Sequence, residues 1–115
     1  MTIEIFHNPR CSKSRATLAL LQEQGIEPEI TLYLETPPDA KKLRSILQKL
    51  GLKARELMRK GEAEYREQGL GDEALAEDEL VAAMVASPRL IERPIVLANG
   101  RAAIGRPPES VLEIL

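Results

Sequence analysis

The chain has 115 residues, 30% of them charged and 43% apolar, with a net charge of −2, one cysteine and one histidine. This is the length of a single domain with one core, too apolar for a disordered chain and not basic enough for a broad nucleic-acid face. No apolar run reaches the length of a membrane span, and one cysteine excludes an internal disulfide. Met1 to Glu4 lacks the basic and apolar regions of a signal peptide, so the expected compartment is the cytoplasm, where thiols stay reduced.

Residues 2–6 alternate in polarity and read as a strand. A helical run from Ala16 to Gln24 follows, with Leu18, Leu20 and Leu21 giving a broad apolar face and Gly25 stopping it. Glu29 to Leu34 has period two and reads as a second strand, which completes a strand–helix–strand crossover. Thr36 is the expected N-cap of the next helix, with Pro37 in its first turn and Leu43, Ile46, Leu47 and Leu50 at helical spacing. Short helical pieces follow over 54–60 and 62–68. A longer helix over 76–86 lacks a good cap and turns Leu80, Val81, Met84 and Val85 inward. Ile95–Ala98 and Arg101–Ile104 flank Asn99-Gly100, the strongest two-residue hairpin signal, and Pro107-Pro108 opens a last helix.

The order is β-α-β, a helical insertion over about 36–88, a β-hairpin and a final helix. It is the order of a thioredoxin-like α/β fold with a mixed sheet, here a single domain over 1–115. Folds of this topology place a cis-proline where the third strand begins, which makes Pro94 the candidate.

His7-Asn8-Pro9-Arg10-Cys11-Ser12-Lys13-Ser14-Arg15 occupies the turn between the first strand and the first helix. Helix-start amides and three cations favour a thiolate at Cys11 and an oxyanion beside it. A lone cytosolic cysteine is most often a small buried hydrophobe, but this one lies in a polar, basic turn. Ser12 and Ser14 offer hydroxyl donors. His7 either modulates the thiol or only hydrogen-bonds the loop, and both readings stay open. Arg44, Arg55, Arg66 and Arg89 read as solvated. Arg59, Arg93 and Arg106 differ in setting, and three guanidinium groups converging on a helix N-terminus would cradle a tetrahedral anion.

Those residues carry a family resemblance. His7-Asn8-Pro9 with Cys11, Ser14 and Arg15, then Tyr33 to Pro38, Leu57-Met58-Arg59-Lys60, Arg93-Pro94-Ile95-Val96 and Arg106-Pro107 follow the order of the glutaredoxin-coupled arsenate reductases. The chain resembles that family over nearly its whole length. Arg10 and Ser12-Lys13 replace smaller residues of the best-known members, and the chain ends soon after the last helix begins, as in a short branch of the family.

The resemblance implies Cys11 as nucleophile, His7 and Ser14 as groups that help ionise it, and Arg59, Arg93 and Arg106, with Arg15 and Asn8, as oxyanion-binding residues. It implies reduction of arsenate to arsenite with glutathione as co-substrate, glutaredoxin as electron donor, and no bound cofactor, metal, nucleic-acid or membrane partner. Two other readings remain at this level. One is a thiol oxidoreductase acting on glutathionylated partners or another oxyanion, since Cys11-Ser12-Lys13-Ser14 has a Cys-x-x-Ser form. The other is a redox regulator that binds RNA polymerase, against which Ser14 stands where such regulators place a second cysteine.

Overall fold

A computed structural model describes residues 2–115; Met1, the first residue of the domain as read from sequence, lies outside the described residues. The chain divides into two compact units, one formed by Met1–Thr36 with Arg93–Leu115 and the other by Pro37–Glu92. The second unit covers all but Thr36 of the segment read as an insertion over about 36–88 and extends four residues beyond it.

The first unit is built on four strands, β1 (Glu4–Phe6), β2 (Glu29–Thr31), β3 (Ile95–Ala98) and β4 (Arg101–Ile104), in the order β2-β1-β3-β4. β1 runs parallel to β2, with Ile5 opposite Ile30, and antiparallel to β3, with Ile5 opposite Val96. Helix α1 (Ser12–Glu23) makes the crossover from β1 to β2. The result is the mixed sheet of a thioredoxin-like fold. Its core gathers Ile5, Leu21, Val96, Ala98, Val111 and Ile114, with Ile3, Leu18, Leu20, Ile26 and Ala103 against them.

The hairpin follows the sequence reading residue for residue. Asn99 (φ 56°) and Gly100 (φ 73°) both take the left-handed backbone that the two-residue turn requires. The peptide bond before Pro94 is cis, as the topology suggested, and so is the bond before Pro107.

Beyond shorter ends at β1 (Glu4–Phe6, read over 2–6) and at the helix Ala54–Leu57 (read over 54–60), four elements differ from the sequence reading for local reasons. α1 begins at Ser12 rather than Ala16, because its first turn is polar and gives no apolar periodicity. β2 ends at Thr31 rather than Leu34. It lies at the sheet edge with Ile30 47% exposed, so its alternation is not tied to burial. The Glu35 and Thr36 amides instead both donate to the Leu32 carbonyl at 2.9 Å, forming a turn. The N-cap of α2 (Ala40–Leu50) is Asp39, whose side chain accepts from the Lys42 amide at 2.7 Å, not Thr36. Thr36 and Pro37 each precede a proline, which disfavours helical backbone at both positions. The last helix is a 3₁₀ helix over Pro108–Ile114. Its buried residues, Val111 and Ile114, are three apart, the spacing that a 3₁₀ helix aligns on one side. Asn99 Nδ2 and Arg101 Nη1 close its end on the carbonyls of Ile114 (2.8 Å) and Glu113 (3.1 Å).

The second unit holds α2, α3 (Ala54–Leu57), α4 (Ala63–Glu67), α5 (Glu77–Ala86) and a 3₁₀ turn at Pro88–Leu90. Leu43, Ile46 and Leu47 of α2 and Leu80, Val81 and Met84 of α5 are buried. The start of α5 is closed by Glu79, whose carboxylate accepts from the Ala76 amide at 3.2 Å. Arg44 pairs with Asp78 at 2.9 Å. Arg55, read from sequence as solvated, is instead a staple. Its guanidinium donates to the Leu70 carbonyl, the Tyr65 hydroxyl (3.2 Å) and the Asp72 carbonyl (2.9 Å). These bonds hold α3 to the Gly69–Asp72 turn. A bridge between Met58 and Ile91, flanked by Glu92 N–H to Leu57 (3.0 Å) and Arg59 N–H to Leu90 (2.7 Å), joins residues 57–59 to 90–92.

Gly105 is the most closely packed glycine of the chain. A Cβ there would overlap Thr17 Oγ1 and lie 2.8 Å from Pro94 Cγ and 3.0 Å from Thr17 Cγ2. Thr17 is fully buried, and its hydroxyl donates to the Lys13 carbonyl at 2.8 Å. Gly105→Ala is therefore expected to destabilise the protein by about 1–3 kcal/mol through overpacking. Adding Thr17→Ala should recover part of that loss, because it removes two of the three clashing atoms. Urea unfolding of both single variants and the double variant checks this, and additive losses would be the contrary result.

Candidate active site

The loop between β1 and α1 is folded by its own polar groups. The Asn8 side chain accepts from the Arg10 amide at 3.0 Å, while its carbonyl accepts from the Cys11 amide at 3.0 Å. Arg15 Nη1 donates to the Pro9 carbonyl at 2.9 Å. These bonds fix the chain so that Cys11, extended at φ −95°, ψ 123°, is the N-cap of α1. Its sulfur therefore stands before amides that have no intrahelical partner.

Cys11 is 8% exposed. Burial pushes its pKa up, but the opposing influences together exceed it and hold the thiol below its ordinary value. They are, in descending order, the Ser14 amide, the Arg93 charge, the Lys13 amide and the Arg106 charge. No amide makes a full capping hydrogen bond to the sulfur, so the amides act chiefly through their dipoles. Arg106 Nη2 is 3.7 Å from Sγ, and Arg106 Nε donates to the Arg93 carbonyl at 2.8 Å.

Behind the thiol lies a buried polar pair. His7 Nδ1 is 2.6 Å from Ser14 Oγ, which also accepts from the Asn8 amide at 3.0 Å. His7 is 6% exposed and Ser14 fully buried. Burial, and secondarily the Arg15 charge, lowers the His7 pKa and keeps the ring neutral at physiological pH. In the Nε2–H tautomer the Ser14 hydroxyl donates to Nδ1. In the Nδ1–H tautomer the ring donates to Oγ, and the hydroxyl proton is free to serve another acceptor. The sequence left open whether His7 modulates the thiol or braces the loop; the structure shows it bonded to Ser14, whose amide acts on the sulfur.

The first unit thus brings together Cys11, Ser14, His7, Asn8, Arg93 and Arg106, with Pro94 beside Arg93. Arg15 is exposed and turned onto the Pro9 carbonyl. Arg59 belongs to the second unit, where its guanidinium meets Glu62 and lies 3.9 Å from Glu92. Sequence reasoning anticipated helix-start amides at the thiol but missed the packing of Thr17 and Gly105. That contribution comes from close approach, and only the glycine after β4 signals it. A cleft of about 250 Å³ opens beside the loop, lined by His7, Asn8, Pro9, Arg10, Leu32, Leu34 and Glu35. Cys11 is not in its lining, so the cleft is a neighbour of the thiol centre. Among the described residues no cluster of His, Cys, Asp or Glu could hold a metal ion, and no helix is long and apolar enough to cross a membrane.

Comparison with known proteins gives a consistent picture. Residues 6–114 match the model of the ArsC family. The chain is 61% identical over 114 residues to YfgD of Escherichia coli strain K12, described as uncharacterized, covering 98% of this chain and 96% of that one. It is 54% identical over 114 residues to an arsenate reductase of Neisseria meningitidis serogroup A, covering 98% and 97% of the two chains. A solved structure of an arsenate reductase from Vibrio cholerae aligns with a TM-score of 0.97 at 56% identity, covering 100% of this chain and 98% of that one.

The charge balance at Cys11 has a direct readout. The rate of alkylation by iodoacetamide should rise with pH through a midpoint below that of an ordinary thiol. Arg106→Ala and Arg93→Ala each remove a positive charge that favours the thiolate, so both midpoints should move up and alkylation at neutral pH should slow. Unchanged midpoints would assign the depressed pKa to the helix amides alone.

Proposed function

Because the chain belongs to the ArsC family, we propose that it reduces arsenate to arsenite, with Cys11 as nucleophile and glutathione and glutaredoxin as the source of electrons. The observation that carries this reading is a single thiol at a helix start with Arg106 Nη2 3.7 Å from its sulfur. That pairing suits attack by a thiolate on an anion, which two negative charges would otherwise resist.

In this reading Arg93 and Arg106 bind the equatorial oxygens of arsenate. Arg59 completes the set by the family resemblance, and Asn8 and Arg15 support the loop that carries the thiol. The Cys11 thiolate attacks arsenic, an S–As bond forms, and one oxygen leaves as water after taking up protons. Glutathione then adds to the arsenic and displaces a second oxygen as water. A glutaredoxin thiolate attacks the glutathione sulfur, and the electron pair of that S–As bond stays on arsenic, which becomes trivalent. Hydrolysis of the Cys11–arsenic bond releases arsenite and returns the thiolate. Two thiols are oxidised to one mixed disulfide, which balances the two electrons gained by arsenic. Ser14 and His7 stabilise the ionised sulfur between turnovers, and no bound cofactor takes part. A reducing cytoplasm is the setting that this chemistry needs.

The test is a coupled assay with arsenate, glutathione, glutaredoxin, glutathione reductase and NADPH. The wild-type chain should consume NADPH only when arsenate is present, and Cys11→Ser should reduce that rate to background, a loss of at least about a thousandfold. Turnover of glutathionylated substrates without arsenate reduction would replace this reading with that of a general thiol oxidoreductase.

A further inference from the structure

Arg59 does not present an open guanidinium. Its Nη1 forms a close ion pair with Glu62 Oε1, three residues on, and its Nε lies 3.9 Å from Glu92 Oε1. The Glu62 side chain is only 16% exposed, so water screens this pair less than an ordinary surface pair. Glu62 has a second cation within reach: its Oε2 is 3.7 Å from Arg89 Nη2. Arg89 in turn leans on Glu64, with Nε 3.8 Å from Oε2, and its side chain is 65% exposed. One carboxylate is therefore shared between a partly buried arginine and an exposed one.

We propose that Glu62 is a positioning residue that occupies Arg59 until an oxyanion displaces it, with Arg89 then taking over the carboxylate. This rests on the reading of Arg59 as an oxyanion-binding arginine. The chemistry is exchange of one anion for another on the same guanidinium. Arg59 stays paired throughout, so no uncompensated charge is created in either state. The exchange also sets a charge threshold. A dianionic tetrahedral oxyanion outcompetes a single carboxylate on a guanidinium more readily than a monoanion does, and Glu62 raises the occupancy that any ligand must reach.

The proposal predicts effects of opposite sign for two neighbouring substitutions. Glu62→Gln removes the competing charge while keeping the side-chain shape, and should lower the KM for arsenate by about two- to fivefold with little change in kcat. Arg89→Ala removes the alternative partner, leaves Glu62 more firmly on Arg59, and should raise KM by a similar factor. Both are measured on the full chain in the coupled assay, alongside Arg59→Ala and Cys11→Ser. An unchanged or raised KM in Glu62→Gln, or a kcat loss that dominates, would overturn the role of Glu62 while leaving the thiol chemistry standing. Retained turnover in Cys11→Ser, or an unchanged KM in Arg59→Ala, would instead defeat the underlying functional reading and this proposal with it.

Discussion

A thiol that is 8% exposed has lost much of the hydration that a thiolate requires, so burial by itself would keep Cys11 protonated and inert. What reverses this is local: the Ser14 and Lys13 amides at the start of α1, and the charges of Arg93 and Arg106. Their contributions differ in what they demand of the fold. The amides require only that Cys11 be the N-cap of a helix, which the loop from His7 to Arg10 secures by bonding to itself. The arginines lie more than eighty residues further along the chain and require the whole sheet to be correctly assembled.

The hairpin register is what meets that second demand. Ile95 stands opposite Ile104 and Ala98 opposite Arg101, a pairing set by the two-residue turn at Asn99-Gly100. Carried two positions beyond the strands, the same register sets Pro94 opposite Gly105 and Arg93 opposite Arg106. The bonds found there agree: the Gly105 amide donates to the Pro94 carbonyl at 2.9 Å, and Arg106 Nε to the Arg93 carbonyl at 2.8 Å. A slip of β4 by one residue on β3 would turn Arg106 to the face opposite Arg93. Gly105 allows the close approach of Thr17 and Pro94, so α1 and the base of the hairpin meet where the thiol needs both.

Much of this was legible in the sequence, and the parts that were not share a physical reason. The hairpin, the cis-proline position and the reactive turn announce themselves through backbone-specific residues: Asn99-Gly100, Pro94, and a cysteine among cations. Apolar periodicity located α2 and α5 because those helices bury one face. It failed at the first turn of α1, which is polar because it does chemistry, and at β2, an edge strand whose alternating residues are exposed. The α2 cap was misplaced because two prolines look like a helix start when only the first is weighed. Arg55 was misjudged because its acceptors are carbonyls of a distant turn, which carry no signature in side-chain sequence. The Arg59–Glu62 pair was visible only as an i,i+3 spacing, one of many such spacings in a chain that is 30% charged.

The solitary cysteine and its low exposure also bear on the order of events in the proposed reaction. Arsenate reduction takes two electrons, and one sulfur in the chain cannot end the cycle as an internal disulfide. The second thiol must come from outside and meet either Cys11 Sγ or the arsenic attached to it. Cys11 is only 8% exposed, whereas in the proposed adduct arsenic would stand beyond the sulfur, with its oxygens facing the arginines assigned to them in that proposal. Attack at arsenic is therefore both sterically easier and electrostatically favoured. The features that ionise the thiol, burial among amides and guanidinium groups, also protect its sulfur from an unproductive exchange with free thiols and disulfides. A more exposed cysteine would gain hydration and lose that discrimination.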